Sequence, residues 1–101
     1  MKQLSILVLL LISAASHGDD RSIRGKVISL TGDDIGIRLR LDSGVPPECR
    51  AASRQEILVK PNYPGAFHLA QNALGVAVEI EADYEPLQRE CVAKVITLSP
   101  S

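Results

Sequence analysis

The residues of this chain that could do chemistry are few, and their spacing narrows what they can do. Cys49 and Cys91 are the only cysteines. They are too far apart to be the close Cys-x-x-Cys pair of a redox dithiol, and a zinc site would need further ligands nearby. The histidines are His17 and His68. A hydrolase triad needs a nucleophile and an acid held beside a histidine, and nothing in the order of residues places them. His17, followed by Gly18-Asp19-Asp20, could hold copper only as the first residue of a processed chain. His68 reads as a surface residue of a helix. No metal site, cofactor or catalytic cluster is expected, and the chain reads as a non-enzyme.

Four side chains are better suited to binding. In "IGIRLRL", residues 35–41, the apolar residues Ile35, Ile37, Leu39 and Leu41 alternate with Gly36, Arg38 and Arg40, the pattern of a strand with one wet face. Arg38 and Arg40 are therefore neighbours on an outer surface. Tyr63 in "PNYPG" and Tyr84 in "ADYEP" are flanked by turn residues and read as loop tyrosines able to touch a ligand. Physical grounds argue against nucleic acid as a ligand: the formal net charge is -1, no basic run occurs, and the aromatic residues are one Phe and two Tyr. A nucleic-acid groove needs positive potential and exposed stacking rings.

These side chains have to be positioned by a small domain. The opening "MKQLSILVLLLISAASHG" has a cationic Lys2, an apolar run from Leu4 to Ile12 and a small-residue zone at residues 13–16. That is the layout of a secretory signal peptide over residues 1–16, too short to span a bilayer as a helix. Residues 17–101 would form the exported domain, periplasmic or secreted, with no membrane span of its own. So short a chain buries a modest core. In an oxidising compartment the two cysteines read as one disulfide, Cys49–Cys91, and closing that loop stabilises the fold by about 4 kcal/mol in the chain-entropy model.

The remainder divides into strands and one helix. "RSIRGKVISL" is the first strand, and its apolar phase changes at Val27-Ile28, which predicts a bulge or bend. "TGDD" is a turn and "IGIRLRL" the second strand. The loop "DSGVPPECRAAS" carries Cys49, and "QEILVK" is the third strand. "AFHLAQNAL" has helical period, with Ala66, Phe67, Leu69, Ala70, Ala73 and Leu74 on one arc, and Pro64 and Gly75 mark its ends. "VAVEIEA" is the fourth strand, "DYEPLQRE" a loop, and "CVAKVITL" the fifth strand.

A mostly β chain of five strands, with one helix between the third and fourth, has the order of the OB-fold, a Greek-key barrel. In that topology the first strand lies between the second and fourth. Arg24 and Lys26 then face Glu79 and Glu81 across the outer wall, which leaves Arg38 and Arg40 less compensated, with Glu56 able to answer one of them. Cross-strand pairs of this kind contribute a few tenths of a kcal/mol each.

The run "GKVISL", a cysteine before the third strand, "FHLAQNALGVAVEI" and a cysteine at the fifth strand together resemble small exported bacterial OB-fold proteins of the subtilase cytotoxin B-subunit type. Phe67, Leu69, Ala73, Gly75, Val78 and Ile80 carry the resemblance, which spans roughly residues 22–98. It implies the fold and an exported binding module. Two functions follow as expectations. One is a non-enzymatic module that contacts a protein partner through its surface. The other is a glycan-binding, toxin-B-like subunit that forms a homo-oligomeric ring. Glycan-contacting residues do not carry over, because the matched positions are core and turn residues.

Overall fold

The computed structural model describes residues 20–99. The expected signal segment 1–16 and His17 lie outside the described residues. Within them, no helix is long and apolar enough to cross a membrane.

The chain forms β1 (Ser22–Gly32), β2 (Ile37–Leu41), a 3-10 turn (Pro47–Cys49), β3 (Ile57–Val59), α1 (Pro64–Ala70), β4 (Ala77–Glu85) and β5 (Glu90–Leu98). Five strands and one helix therefore follow the expected order. The pairing order is β1-β2-β3-β5-β4, and it closes because β4 also pairs with β1. All pairings are antiparallel except β3 with β5.

β1 closes the sheet by serving two neighbours. Ser22 to Lys26 pair with β4, and Val27 to Gly32 pair with β2. The register shifts between Val27 and Ser29, so the phase change read at Val27-Ile28 is a bulge. Ile28 is its extra residue and is 55% exposed, although after the phase change Ile28 and Leu30 read as the apolar pair of the strand. Gly25 makes room at the other half of β1. There Asp42 Oδ1 accepts the Lys26 N–H, and the Ser43 hydroxyl donates to the Arg24 carbonyl at 2.6 Å. A Cβ at Gly25 would collide with Ser43 Oγ.

Strand β2 keeps its expected face: Leu39 and Leu41 are buried and Ile37 packs against the core. Ile35 departs from it and is exposed. It belongs to the β1–β2 turn, where Asp33 Oδ1 accepts the N–H groups of Ile35 and Gly36. Gly36 is buried, and a Cβ there would run into the Val59 carbonyl of β3.

The inner core is aliphatic and contains many small residues. Val27, Leu39, Ile57, Val59, Val78 and Ile80 meet Ala66, Ala70, Ala73, Ala82 and Ala93, with Cys49 and Cys91 fully buried among them. Those cysteines form the expected disulfide, with Cα atoms 5.4 Å apart. It joins the 3-10 turn to the start of β5, beside the β3–β5 pairing.

Two boundaries move farthest, those at the end of α1 and the end of β4. Helix α1 ends at Ala70, after which Asn72 and Ala73 donate to the carbonyls three residues back. This tighter winding swings Leu74 out to 60% exposure, away from the packed arc it was assigned. Strand β4 runs to Glu85 and β5 begins at Glu90, so half of "DYEPLQRE" is strand, and only residues 86–89 connect the two.

Candidate functional site

Arg38 points outward from β2, as the alternation requires, but its charge is already engaged. Its Nη1 donates to both Glu90 carboxylate oxygens at 3.1 and 3.0 Å, and its Nε donates to Asp33 Oδ2 at 3.1 Å. Its side chain is 12% exposed. β3 lies between β2 and β5, so the Arg38–Glu90 pair spans the outer face of β3. Beneath it, Leu58 pairs with Val92 of β5, and the two are 2% and 1% exposed. The pair thus roofs a small apolar patch outside the main core. Burial works against the guanidinium charge, but Glu90 and Asp33 outweigh it and hold Arg38 above its ordinary range. The N–H groups of Ile35 and Gly36, then Arg38, hold the Asp33 carboxyl below its ordinary value of 3.8. The expectation that Arg38 is undercompensated is corrected: its partners come from a turn and a distant strand, which outer-face alternation does not reveal.

Arg40 is the exposed member of the pair, and makes no ion pair among the described residues. It shares a shallow surface pocket of about 410 Å³ with Arg54, Gln55 and Glu56. Glu56 leans toward Arg54 at 3.9 Å rather than toward Arg40 or Arg38. Across the wall, Arg24 meets Glu79 at 3.5 Å as expected. Lys26 instead lies opposite Ala77, and Glu81 opposite Ser22. Two further pairs, Arg21–Asp83 and Lys60–Glu85, are each 3.5 Å long.

The tyrosines divide in the same way. Tyr84 belongs to β4 and not to a loop. It lies opposite Cys91, packs against the core and directs its hydroxyl to the Ala51 carbonyl at 3.4 Å. Tyr63 stands at the N-cap of α1. Its hydroxyl accepts from Lys94 Nζ at 2.7 Å, and the ammonium lies 4.6 Å from the ring centroid, within cation–π range. This hydrogen bond holds Lys94 above its ordinary range, against a smaller opposing effect of burial.

Tyr63 and Lys94 stand at the edge of a groove between α1 and β5. Its volume is about 340 Å³, and its walls include Ala66 and Leu69 on one side and Val95 and Ile96 on the other. Lys94 is the residue that outer-face reasoning missed. The β4–β5 register shifts between Glu81 and Ala82, so that Glu81 pairs with Val95 and Ala82 with Ala93. Lys94 is the extra residue of a bulge, which re-aims its side chain. The signal was present in "CVAKVITL": in an unbroken strand Lys94 and Ile96 would share a face, which no single environment suits.

The four candidate residues therefore do not converge on one site. Arg38 and Tyr84 are built into the structure, Arg40 is free on one wall, and Tyr63 opens onto the groove. Comparison with protein-family models, curated proteins and solved structures finds no match.

Proposed function

We propose that the chain is an exported OB-fold module, non-enzymatic, that acts by surface contact with a protein partner. The strand order, the parallel β3–β5 pairing and the helix between β3 and β4 support the OB-fold barrel. The buried disulfide suits an oxidising compartment. The observation that carries the functional reading is the α1–β5 groove, an apolar concavity edged by an aromatic ring and a cation. Protein interfaces combine an apolar centre with a polar rim in this way and are enriched in tyrosine.

The test is affinity capture with the chain as bait, beside its Tyr63→Ala and Arg40→Glu variants, together with light scattering and a glycan array. A monomer that captures one protein, loses it in one of the two variants and binds no glycan supports the proposal. A homo-oligomer that binds glycans and captures no protein replaces it with the ring-forming, toxin-B-like reading. Arg40→Glu alone is the proper probe of the arginine face, because Arg38→Glu would place a third carboxylate beside those of Glu90 and Asp33.

A further inference from the structure

We infer that the outer edge of β1, from Leu30 to Gly32, takes up an extended, uncharged segment of a partner polypeptide as an added strand. This surface shares no residue with the α1–β5 groove and goes beyond the reading built on it.

The two halves of β1 treat their second edge differently. The first half pairs with β4, and its other edge is closed by the chain itself. There Asp42 Oδ1 accepts the Lys26 N–H, the Asp42 N–H donates to the Lys26 carbonyl, and the Ser43 hydroxyl donates to the Arg24 carbonyl. The second half pairs with β2. On its other edge Val27 is held by Gly75 and Val76: its N–H donates to the Val76 carbonyl and its carbonyl accepts the Gly75 N–H. Past Val27 the edge is open. Asp33 donates its N–H to the Gly36 carbonyl, so that pair is a bonded one. Bonded and non-bonded pairs alternate along an antiparallel ladder. The N–H and C=O groups of Thr31 therefore face β2, and those of Leu30 and Gly32 face away from it. No backbone or side-chain group among the described residues bonds these four outward groups.

The chemistry of the edge selects its occupant. Donors and acceptors repeating at every second residue are matched by another extended backbone, the basis of strand addition. Exposed edges are commonly blunted by charge or proline, and Ile28 to Gly32 carries neither. Leu30 packs partly against the core, so the incoming residue beside it shares its apolar face. Antiparallel pairing of two copies of this edge is obstructed. It would carry the β1–β2 turn of one copy alongside Val27 of the other, where Gly75 and Val76 already lie. A flexible partner segment has no such turn and can end before Val27.

The test uses acetyl-Thr-Val-Thr-Val-Thr-amide, whose two valines present their side chains on one face of a strand. It is compared with the same peptide N-methylated at both valines. Each is titrated into the isotopically labelled chain and followed by amide chemical shifts and hydrogen exchange. The unmethylated peptide should give saturable shifts at Leu30 and Gly32 and slow the exchange of their amides. The methylated peptide keeps the side chains but loses the bonding N–H groups, and should bind about tenfold more weakly. Gly32→Pro removes one outward donor, at a position where a Cβ meets nothing within 4 Å and where edge strands accept proline. It should weaken the unmethylated peptide by a similar factor. The methylated and unmethylated pair, measured on the native chain, decides the matter even if that variant fails to fold. Equal affinity for the two peptides overturns the inference, as does an absence of shifts in β1. A dimer that Gly32→Pro dissolves in light scattering also overturns it, by giving the edge to a second copy.

Discussion

Two stretches of β5 meet the outer surface in opposite ways. At its start, Glu90 is clasped by Arg38 across β3, and the apolar pair Leu58 and Val92 is sealed beneath. A few residues on, Lys94 leaves the ladder at a bulge and stands at the edge of an open apolar groove. Both regions combine charge with aliphatic surface. They differ in whether the charge finds its complement within the chain. Where it does, the apolar patch closes over and the residues serve the fold. Where it does not, the patch stays open and the cation remains available. A charged residue on the wet face of a strand is therefore informative about binding only once its partners are known.

Removing the disulfide should produce the largest change, and it falls on the closed region, since Cys91 adjoins Glu90. Cys49→Ala with Cys91→Ala should lower the unfolding free energy by about 3 kcal/mol in denaturant titration, with groove residues losing no more order than the rest. A selective collapse of the groove would break the contrast. Arg38→Ala comes next. It strands the mostly buried Glu90 carboxylate and uncovers Leu58, and should cost about 2 kcal/mol of stability. Arg40→Ala, two residues along the same face, should change stability by less than about 0.5 kcal/mol. Equal effects from the two arginines would erase the distinction drawn here.

Acid should weaken the same closed region to a smaller extent. The folded-state pKa of Asp33 lies below its ordinary value, so its stabilising contribution is complete above that ordinary value. It is lost as pH falls through the depressed one. A pH series of thermal melts should show native Tm falling below pH 3.8 more steeply than that of Asp33→Asn, which lacks the titrating group. The smallest stability effect should come from Lys94→Gln, less than about 0.5 kcal/mol in the same titrations, even though it removes the groove's charge. A larger loss would move Lys94 into the structural class with Arg38.

The fold was legible where one face of a strand is wet and the other dry. β2 and β4 announce themselves through Leu39, Leu41, Val78 and Ile80 alternating with charge, and the bulge in β1 was visible as a change of phase at Val27. The boundaries failed where polar residues continued a strand. Asp83, Tyr84 and Glu85 alternate correctly as outward, inward, outward, but Pro86 and the polar Gln88, Arg89 and Glu90 made the segment resemble a loop. The site was less legible than the fold for a simple reason. Arg38 and Glu90 are 52 positions apart in the chain, and no local pattern records that they meet. Tyr63 was recognisable by type, but Lys94 acquires its role from a bulge whose register is set by β4.

The short β3 has a consequence for how the molecule is made. It is three residues long and joins β5 through two parallel register pairs, a seam between segments far apart in the chain. Long-range pairings of this kind form slowly, and until this one forms, β3 and β5 each present an unpaired edge to other chains. Cys49 and Cys91 sit at that seam, so bringing their sulfurs together and joining the edges are parts of one event. Oxidation of the pair is in this sense a clock for maturation. A chain that is slow to oxidise spends that time with open edges, exposed to aggregation.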